Sequence, residues 1–308
     1  MNVFLTVDVE SYTGDYEREV RGGGGGLEYL LARCREHGIG ATFFVEALGA
    51  TRWGIEPLRG ICRQILDAEC EVQLHLHPVV ARIDGFEDRG DVLWQHDRAV
   101  QERLMAEGMK ILGACDVPAV MAFRAGDFAA NEDSLKAMEN LGIVLSSNRD
   151  MDFKCSTRSR INDLFPVRND LSRFGAVADL PLTVFRSPLP LLDGLCRHLE
   201  ISAVGANEMI DVLTAMADMG YACATVLTHP GEFFRWSGRR AAPIVKNCRR
   251  LEGLLAFLDK REDLRALTLS QCLRNTVVPT LSPPEVSPRL SRSLLRVGEQ
   301  AMARMRIS

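Results

Sequence analysis

Short apolar segments alternate with amphipathic helical patterns along most of this chain, and this alternation constrains the fold more than any other feature of the sequence. Apolar segments of strand length lie at residues 3–7, 41–45, 71–76, 119–123, 143–146, 179–184 and 222–227. Helical patterns lie between most of them, at residues 27–37, 58–68, 98–112, 132–141, 207–219 and 244–258. This order predicts an α/β fold in which helices cover a parallel sheet. The strand segments are apolar almost throughout, as strands buried on both faces are.

The composition is that of a globular protein with a large core. The chain has 308 residues, of which 46% are hydrophobic and 25% are charged, and this excludes a disordered chain or a small disulfide-stapled domain. A barrel of alternating strands and helices reaches about 250 residues as one unit. We therefore predict such a body over residues 1–276. The segment PTLSPPEVSPRL predicts an extended linker over residues 277–290, and a helix is predicted over 291–308.

The predicted last helix is basic and amphipathic. Its apolar residues recur at helical spacing, and its arginines form a second stripe. The apolar stripe consists of Leu290, Leu294, Val297, Ala301 and Met305, and the basic stripe of Arg289, Arg292, Arg296 and Arg304. Such a helix is suited to an anionic membrane surface, but the same pattern also fits packing against the body or a partner chain. Both interpretations remain open at this point.

Charge and cysteine usage exclude several classes of protein. The formal net charge is −4, so no overall electrostatic attraction to nucleic acid is expected. The nine cysteines are odd in number and never spaced as CxxC, which excludes a zinc ribbon and a thioredoxin-type pair. Reduced thiols, an acidic N-terminal segment and the lack of a long apolar run together predict a cytoplasmic protein.

Polar side chains gather where four of the predicted strands end. The segments at these ends are Asp8-Val9-Glu10, His75-Leu76-His77, Arg124-Ala125-Gly126-Asp127 and His229-Pro230-Gly231-Glu232. In parallel barrels the carboxyl ends of the strands share one rim, and that rim carries the active site. If these segments belong to neighbouring strands, their side chains converge on a single opening.

Two of these segments have the spacing of a metal site. Side chains alternate along an extended chain, so the two imidazoles of His75 and His77 point to one face, and the carboxylates of Asp8 and Glu10 do the same. Two neutral imidazoles and one carboxylate form a half-open site for zinc or a similar divalent ion, which leaves a position for water.

The ordered motifs resemble those of the NodB-homology polysaccharide deacetylases, carbohydrate esterase family four. The matching motifs are Thr6-Val7-Asp8, Ala41-Thr42-Phe43-Phe44-Val45 within residues 30–49, Glu71-Val72-Gln73-Leu74-His75, Phe123-Arg124-Ala125-Gly126 and Leu227-Thr228-His229-Pro230. They occur in the family's order between about residues 2 and 230. The resemblance implies a distorted (β/α) barrel, a divalent metal and removal of an N-acetyl group from an amino sugar.

The resemblance also implies roles for individual residues. Asp8 matches the general base, and Arg124 matches the arginine that orients and tunes this base. His229 matches the general acid, and His75 matches the first metal histidine. Two positions depart from the family pattern: Val9 replaces the second acid, and Val79 replaces the second metal histidine. By strand alternation Glu10 and His77 supply the missing ligands, so the predicted metal set is Glu10, His75 and His77.

These observations predict a zinc-dependent hydrolase that removes the N-acetyl group of an amino sugar. Its expected substrate is a nucleotide- or lipid-linked precursor of a cell-surface polysaccharide or lipopolysaccharide O-antigen. Asp127 and Trp236 are candidate substrate contacts, Trp236 because an aromatic ring stacks on sugar faces. Two alternatives are hydrolysis of a cyclic non-sugar amide and a metal-free binding or scaffold protein with a degenerate site.

Overall fold

The computed structural model describes residues 1–10, 25–86, 90, 92–150, 158–193, 196–237, 240–271 and 278–305. Within these ranges the side chains of 192–193, 236–237, 240 and 303–305 are not described. All of the statements below concern this part of the chain.

A single sheet of mostly parallel strands organises the structure. Its strands are β1 (Asn2–Val9), β2 (Thr42–Glu46), β3 (Glu71–Leu76), β4 (Ala122–Ala125), β5 (Leu145–Ser146), β6 (Ser172–Phe174), β7 (Val177–Asp179), β10 (Cys223–Thr228) and β13 (Arg265–Ala266). The order across the sheet is β10-β1-β2-β3-β4-β5-β7-β6, and β13 pairs with the start of β1. Only β6 runs antiparallel to its neighbour. The sheet is a curled, incomplete barrel, which confirms the predicted fold class.

Two hairpins lie outside this sheet, and helices surround it. The hairpins are β8 (Val184–Arg186) with β9 (Cys196–His198), and β11 (Phe234–Ser237) with β12 (Arg240–Pro243). The helices are α1 (Gly26–Glu36), α2 (Ala50–Trp53), α3 (Ile55–Asp67), α4 (Arg98–Ala114), α5 (Glu132–Asn140), α6 (Pro190–Asp193), α7 (Ala206–Asp218), α8 (Val245–Asp259) and α9 (Leu290–Met305). All eight residues of β1 are buried: Val3, Leu5, Val7 and Val9 pack in the cluster that contains the helix residues, whereas Phe4 packs with residues of other strands, among them Phe44 and Leu145.

Two of the predicted strands were wrong in their bounds. The strand predicted at 119–123 begins at Ala122, because the side-chain oxygen of Gln73 accepts hydrogen bonds from the backbone amides of Met121 and Ala122. The segment predicted as one strand at 179–184 is split between the end of β7 and the start of β8. The chain leaves the sheet after Asp179, whose buried carboxylate pairs with Arg149 at 2.5 Å.

The proline-rich segment and the last helix both contact the body. Residues 278–289 contain no helix or strand, and the carbonyl of Pro284 accepts a hydrogen bond from the Tyr221 hydroxyl at 2.7 Å. Helix α9 packs on α7 through a fully buried ion pair between Arg296 and Glu208. None of the described helices combines the length and apolar character that crossing a membrane requires.

Candidate active site

The parallel strands bring the predicted site residues to one edge of the sheet. In the register of neighbouring strands, Val7 of β1 lies beside Thr228 of β10, and His75 of β3 lies beside Arg124 of β4. Each of these strands ends within about three residues of that point, which is why their polar side chains meet above the same edge.

Glu10, His75 and His77 form a compact set of possible metal ligands. One ligand atom from each lies within 4.8 Å of the others. The Oε1 atom of Glu10 is 3.3 Å from Nε2 of His77 and 3.6 Å from Nε2 of His75. Both imidazoles are fully buried, whereas the Glu10 side chain is 14% exposed. Neutral imidazole nitrogens and one carboxylate oxygen are a typical donor set for Zn²⁺ with an open coordination position.

The tautomer of His75 fits this interpretation. Its Nδ1 lies 2.9 Å from the carbonyl oxygen of Arg124, and since a carbonyl only accepts, Nδ1 carries the proton. The other ring nitrogen, Nε2, is buried and has no hydrogen-bond partner among the described residues. A buried nitrogen that faces two other donors without a partner of its own is what a metal ligand requires. The residues present therefore fit a divalent cation.

Gly126 makes room for the second imidazole. A Cβ atom at this position would lie 2.2 Å from Cε1 and 2.3 Å from Nδ1 of His77. Any side chain there would displace the ring, so the absence of a Cβ at Gly126 sets the position of His77.

Asp8 lies beside Glu10, and an arginine fixes its carboxylate. Its Oδ1 atom accepts a 2.6 Å hydrogen bond from Nη1 of Arg124, and both side chains are almost completely buried. Arg124 also donates to the hydroxyls of Thr6 and Ser147, and its guanidinium lies 4.2 Å above the ring of Phe44. These contacts fix the arginine, and the arginine in turn fixes the carboxylate.

His229 forms a dyad with Glu232. Its Nδ1 donates to Oε1 of Glu232 at 3.2 Å, while Oε2 of Glu232 accepts from the hydroxyl of Thr228 at 2.6 Å. Burial opposes the charged imidazolium, but the bond to Glu232 and the negative charges of Glu232, Glu10 and Asp8 raise the pKa of His229 to about 10. The same partnership lowers the pKa of Glu232. His229 is therefore protonated at neutral pH and faces the metal set, with Nε2 3.9 Å from Glu10.

Two further residues, Glu200 and Gly26, lie against the His229–Glu232 dyad or the turn that carries it. The partly buried Glu200 lies beside Glu232 and His229, and desolvation together with the neighbouring Glu232 raises the pKa of Glu200. Gly26, at the start of α1, packs closely against the turn at Pro230. An added Cβ at this position would lie 1.9 Å from the carbonyl oxygen of Pro230. Gly26 thus allows α1 to approach the turn that follows His229 closely.

The structure brings together six of the eight residues predicted for the site. Asp8, Glu10, His75, His77, Arg124 and His229 lie around one cleft. Asp127 does not join them: it lies in the turn after β4, is half exposed and pairs with Arg158 at 3.0 Å. The backbone of Trp236 belongs to β11, but its side chain lies outside the described part of the chain.

Sequence reasoning missed Glu232, Gly126 and Ser147 as residues of the site. Glu232 follows His229 by three residues in a short turn, and that spacing is the one signal that could have identified it. Gly126 belongs to the motif Phe123-Arg124-Ala125-Gly126, but no local pattern shows its role or that of Ser147, since these depend on contacts with His77 and Arg124 from other segments.

No protein-family model and no curated protein matches the sequence. Solved structures do match. A protein from Mycobacterium smegmatis assigned as a polysaccharide deacetylase superimposes with a TM-score of 0.57 at 18% identity, over 92% of this chain and 94% of that one. The chain has the polysaccharide deacetylase fold. The resemblance predicted from the motifs is thus confirmed at the level of the fold.

Two other structures are similar over most of this chain. A family 4 carbohydrate esterase from Streptomyces lividans, in complex with acetate, has a TM-score of 0.48 at 13% identity. The matched region covers 90% of this chain and 97% of the esterase chain. A family 4 pseudoenzyme from Bacillus anthracis has a TM-score of 0.44 at 11% identity. The matched region covers 91% of this chain and 66% of the pseudoenzyme chain. Similarity at this level of identity extends to the fold, and the chemistry has to be argued from the residues of this chain.

Proposed function

We propose that this protein is a metal-dependent deacetylase that hydrolyses the N-acetyl group of an amino sugar. One observation carries the proposal: the Glu10-His75-His77 set shares Glu10 with a second group, in which ligand atoms of Asp8, Glu10 and His229 lie within 4.8 Å of one another. Hydrolysis of an unactivated amide needs a base for the attacking water, a stabilised oxyanion and an acid for the leaving amine. The cleft offers groups for each of these tasks.

The three ligands would hold a divalent cation, which in such sites polarises the scissile carbonyl and lowers the pKa of a water molecule. Asp8 is the base: its carboxylate takes the proton of the water whose oxygen adds to the amide carbon. Arg124 keeps this carboxylate in place through the 2.6 Å hydrogen bond. One carboxylate oxygen of Asp8 also lies within 4.8 Å of ligand atoms of Glu10 and His229, so the base stands beside both the metal set and the acid.

His229 is the acid. It donates its Nε2 proton to the amine nitrogen as the C–N bond breaks, so that acetate and the free amine leave. Glu232 favours this role in two ways: it orients the ring through Nδ1 and it keeps the imidazole protonated. Asp8 lies in β1 and His229 directly follows the neighbouring β10, so the base and the acid stand at the ends of adjacent strands.

Zinc is the metal we propose, because two imidazoles and one carboxylate suit this ion. We place the reaction in the cytoplasm, where the free thiols of the described cysteines are stable. There the substrate would be a precursor of a cell-surface polysaccharide or an O-antigen, with the acetamido sugar linked to a nucleotide or a lipid.

The test is release of acetate from a panel of nucleotide- and lipid-linked N-acetylated sugars, with the protein loaded with zinc or cobalt. We expect acetate from at least one of them, and a loss of about 10²- to 10⁴-fold in the Asp8→Asn variant, the range that a positioned general base contributes. Metal-loaded protein that hydrolyses cyclic amides but no sugar would contradict the proposal. Protein that binds no metal would favour a scaffold with a degenerate site.

A further inference from the structure

Helix α9 turns its apolar side chains outward and its polar side chains inward. Leu290, Leu294, Leu295 and Met302 are each more than half exposed. In contrast, Ser293 and Arg296 are completely or almost completely buried. A helix that packs on a globular body normally does the reverse. Four large apolar side chains on one exposed face mark an interaction surface rather than the isolated apolar residues found on every protein.

Buried polar contacts fix this orientation. The guanidinium of Arg296 donates to Glu208 of α7 at 2.7 Å, and neither side chain is exposed. The hydroxyl of Ser293 donates to the other carboxylate oxygen of Glu208. Rotation of α9 to bury its leucines would leave Glu208 without these partners, at the cost of a buried unpaired charge. The outward face is therefore built into the packing.

A cationic cavity of about 390 Å³ adjoins this face. It lies between the N-terminal turns of α7 and α8 and the side of α9. Its basic lining residues are Lys246, Arg249, Arg250, Arg292 and Arg296, and its acidic ones are Glu208 and Glu299. Among the described residues, Lys246 and Arg249 form no ion pair. The apolar side chains of Val245, Leu295 and Met302 line the same cavity, so its mouth opens onto the exposed face.

Arg250 and the start of α8 give this cavity a second anion-attracting feature. The Arg250 side chain is 3% exposed and pairs with Glu299 at 3.4 Å, while its Nε atom has no hydrogen-bond partner among the described residues. The N-terminus of α8 has no side-chain cap, so the positive end of its dipole is not neutralised there. Burial, and to a smaller extent the neighbouring Arg250, lower the pKa of Lys246, while Glu299 raises it.

We propose that the exposed face of α9 and the adjacent cavity together form a docking surface for an anionic phospholipid membrane. A lipid phosphate enters the cavity between Lys246 and Arg249, and Leu294, Leu295 and Met302 insert among the acyl chains. Charge complementarity selects this occupant. Apolar residues beside cations match the acyl chains and the anionic headgroups of such a membrane. A second copy of the chain would instead bring its own cationic cavity against this one.

A short chain of contacts links this surface to the candidate active site. Arg250 donates to the backbone carbonyl of Ser202 at 2.7 Å, and the Ser202 hydroxyl donates to Glu200, which contacts the His229–Glu232 dyad. Docking would therefore place the cleft close to the membrane, where a lipid-linked sugar is presented. The docking itself does not depend on the proposed hydrolysis and is measured without it.

The experiment is co-flotation of the full-length protein with vesicles of phosphatidylcholine alone or of phosphatidylcholine mixed with phosphatidylglycerol. We expect binding to the mixed vesicles, weakened by salt. The double variants Leu294→Glu/Leu295→Glu and Lys246→Glu/Arg249→Glu should each lower the bound fraction by at least about tenfold, because they remove the inserting side chains or reverse two surface charges. The two pairs lie on different helices, so a folding defect in one leaves the other informative.

Matched controls test whether the effect of these substitutions depends on their position in the molecule. Leu191 and Leu281 are exposed leucines, and Lys110 and Lys136 are exposed lysines of other helices or loops. Their replacement by Glu should leave vesicle binding unchanged. Equal binding to both vesicle types, or no binding, would overturn the proposal. So would a dimer that Leu294→Glu/Leu295→Glu dissociates, or saturation by inorganic phosphate without any vesicle binding.

Discussion

The guanidinium of Arg124 lies 2.6 Å from the carboxylate of Asp8, and neither side chain has appreciable contact with solvent. Removal of either partner leaves a buried charge without compensation, which typically costs about 3–5 kcal/mol. We expect Arg124→Ala to lower the free energy of unfolding by about this amount, as measured by urea denaturation.

The matched comparison is Arg173→Ala, since Arg173 has an exposed side chain in β6 that bonds only a nearby backbone carbonyl. This variant should unfold with nearly unchanged free energy. If Arg124→Ala were equally harmless, the Asp8–Arg124 pair would contribute nothing to stability and the arginine would not fix the carboxylate.

Gly126→Ala tests the placement of His77. The added Cβ would lie 2.2 Å from the ring, so the imidazole must move away from Glu10 and His75. We expect zinc affinity, measured by competition with a chromophoric chelator, to fall about 10- to 100-fold, as when a residue that positions a metal ligand is changed. Gly60→Ala is the control, because a Cβ at Gly60 in α3 meets no atom within 4 Å. Unchanged zinc affinity in Gly126→Ala would exclude His77 as a ligand.

Glu232→Gln tests the charge state of His229. Burial opposes the charged imidazolium, and Glu232 contributes most among the carboxylates, with Glu10 and Asp8, that raise the pKa of His229 from 6.5 to about 10. A general acid works in its protonated form, so activity should persist at alkaline pH and fall as pH approaches that pKa. Without the carboxylate the pKa drops, and the alkaline limb of the kcat/KM profile should move to lower pH. An identical profile for both proteins would exclude His229 as the acid.

The raised pKa of His229 also predicts how the stability of the protein changes with pH. Because the folded-state pKa of His229 lies above 6.5, the stabilisation from its protonation is complete below that pH and is lost as pH rises towards about 10. Glu232→Gln should therefore lose stability mainly at neutral and acidic pH relative to the original protein. The exposed Glu56 on α3 offers a control, and Glu56→Gln should show no such pH-dependent loss.

Zinc should stabilise the folded protein if Glu10, His75 and His77 hold it. An ion that binds only the folded state adds about 2.7 kcal/mol at a free concentration of about 100 times its dissociation constant. We expect that gain in thermal or urea denaturation of the original protein, its reversal by a chelator and its absence in His75→Ala. Equal stabilisation of His75→Ala would place the zinc elsewhere.

Much of the fold could be predicted because its signals are local. The apolar segments and helical periods predicted the strands β1, β2, β3 and β10 and the helices between them to within a few residues. The errors arose where a side chain from a distant segment altered the backbone pairing. Gln73 delays the start of β4, and the Arg149–Asp179 pair lies where β7 ends. Neither contact can be recognised from the local sequence pattern.

By itself the sequence determined the class of fold and the pairing of Asp8 with Glu10 and of His75 with His77, since these follow from the alternation of side chains along one extended segment. Only the tertiary structure decided that Glu10 faces both imidazoles while Asp8 faces Arg124, and that Glu232 serves His229. It also decided that α9 turns its leucines outward. Such relationships depend on the strand order β10-β1-β2-β3-β4 and on buried ion pairs between distant segments, and no local pattern encodes either of them.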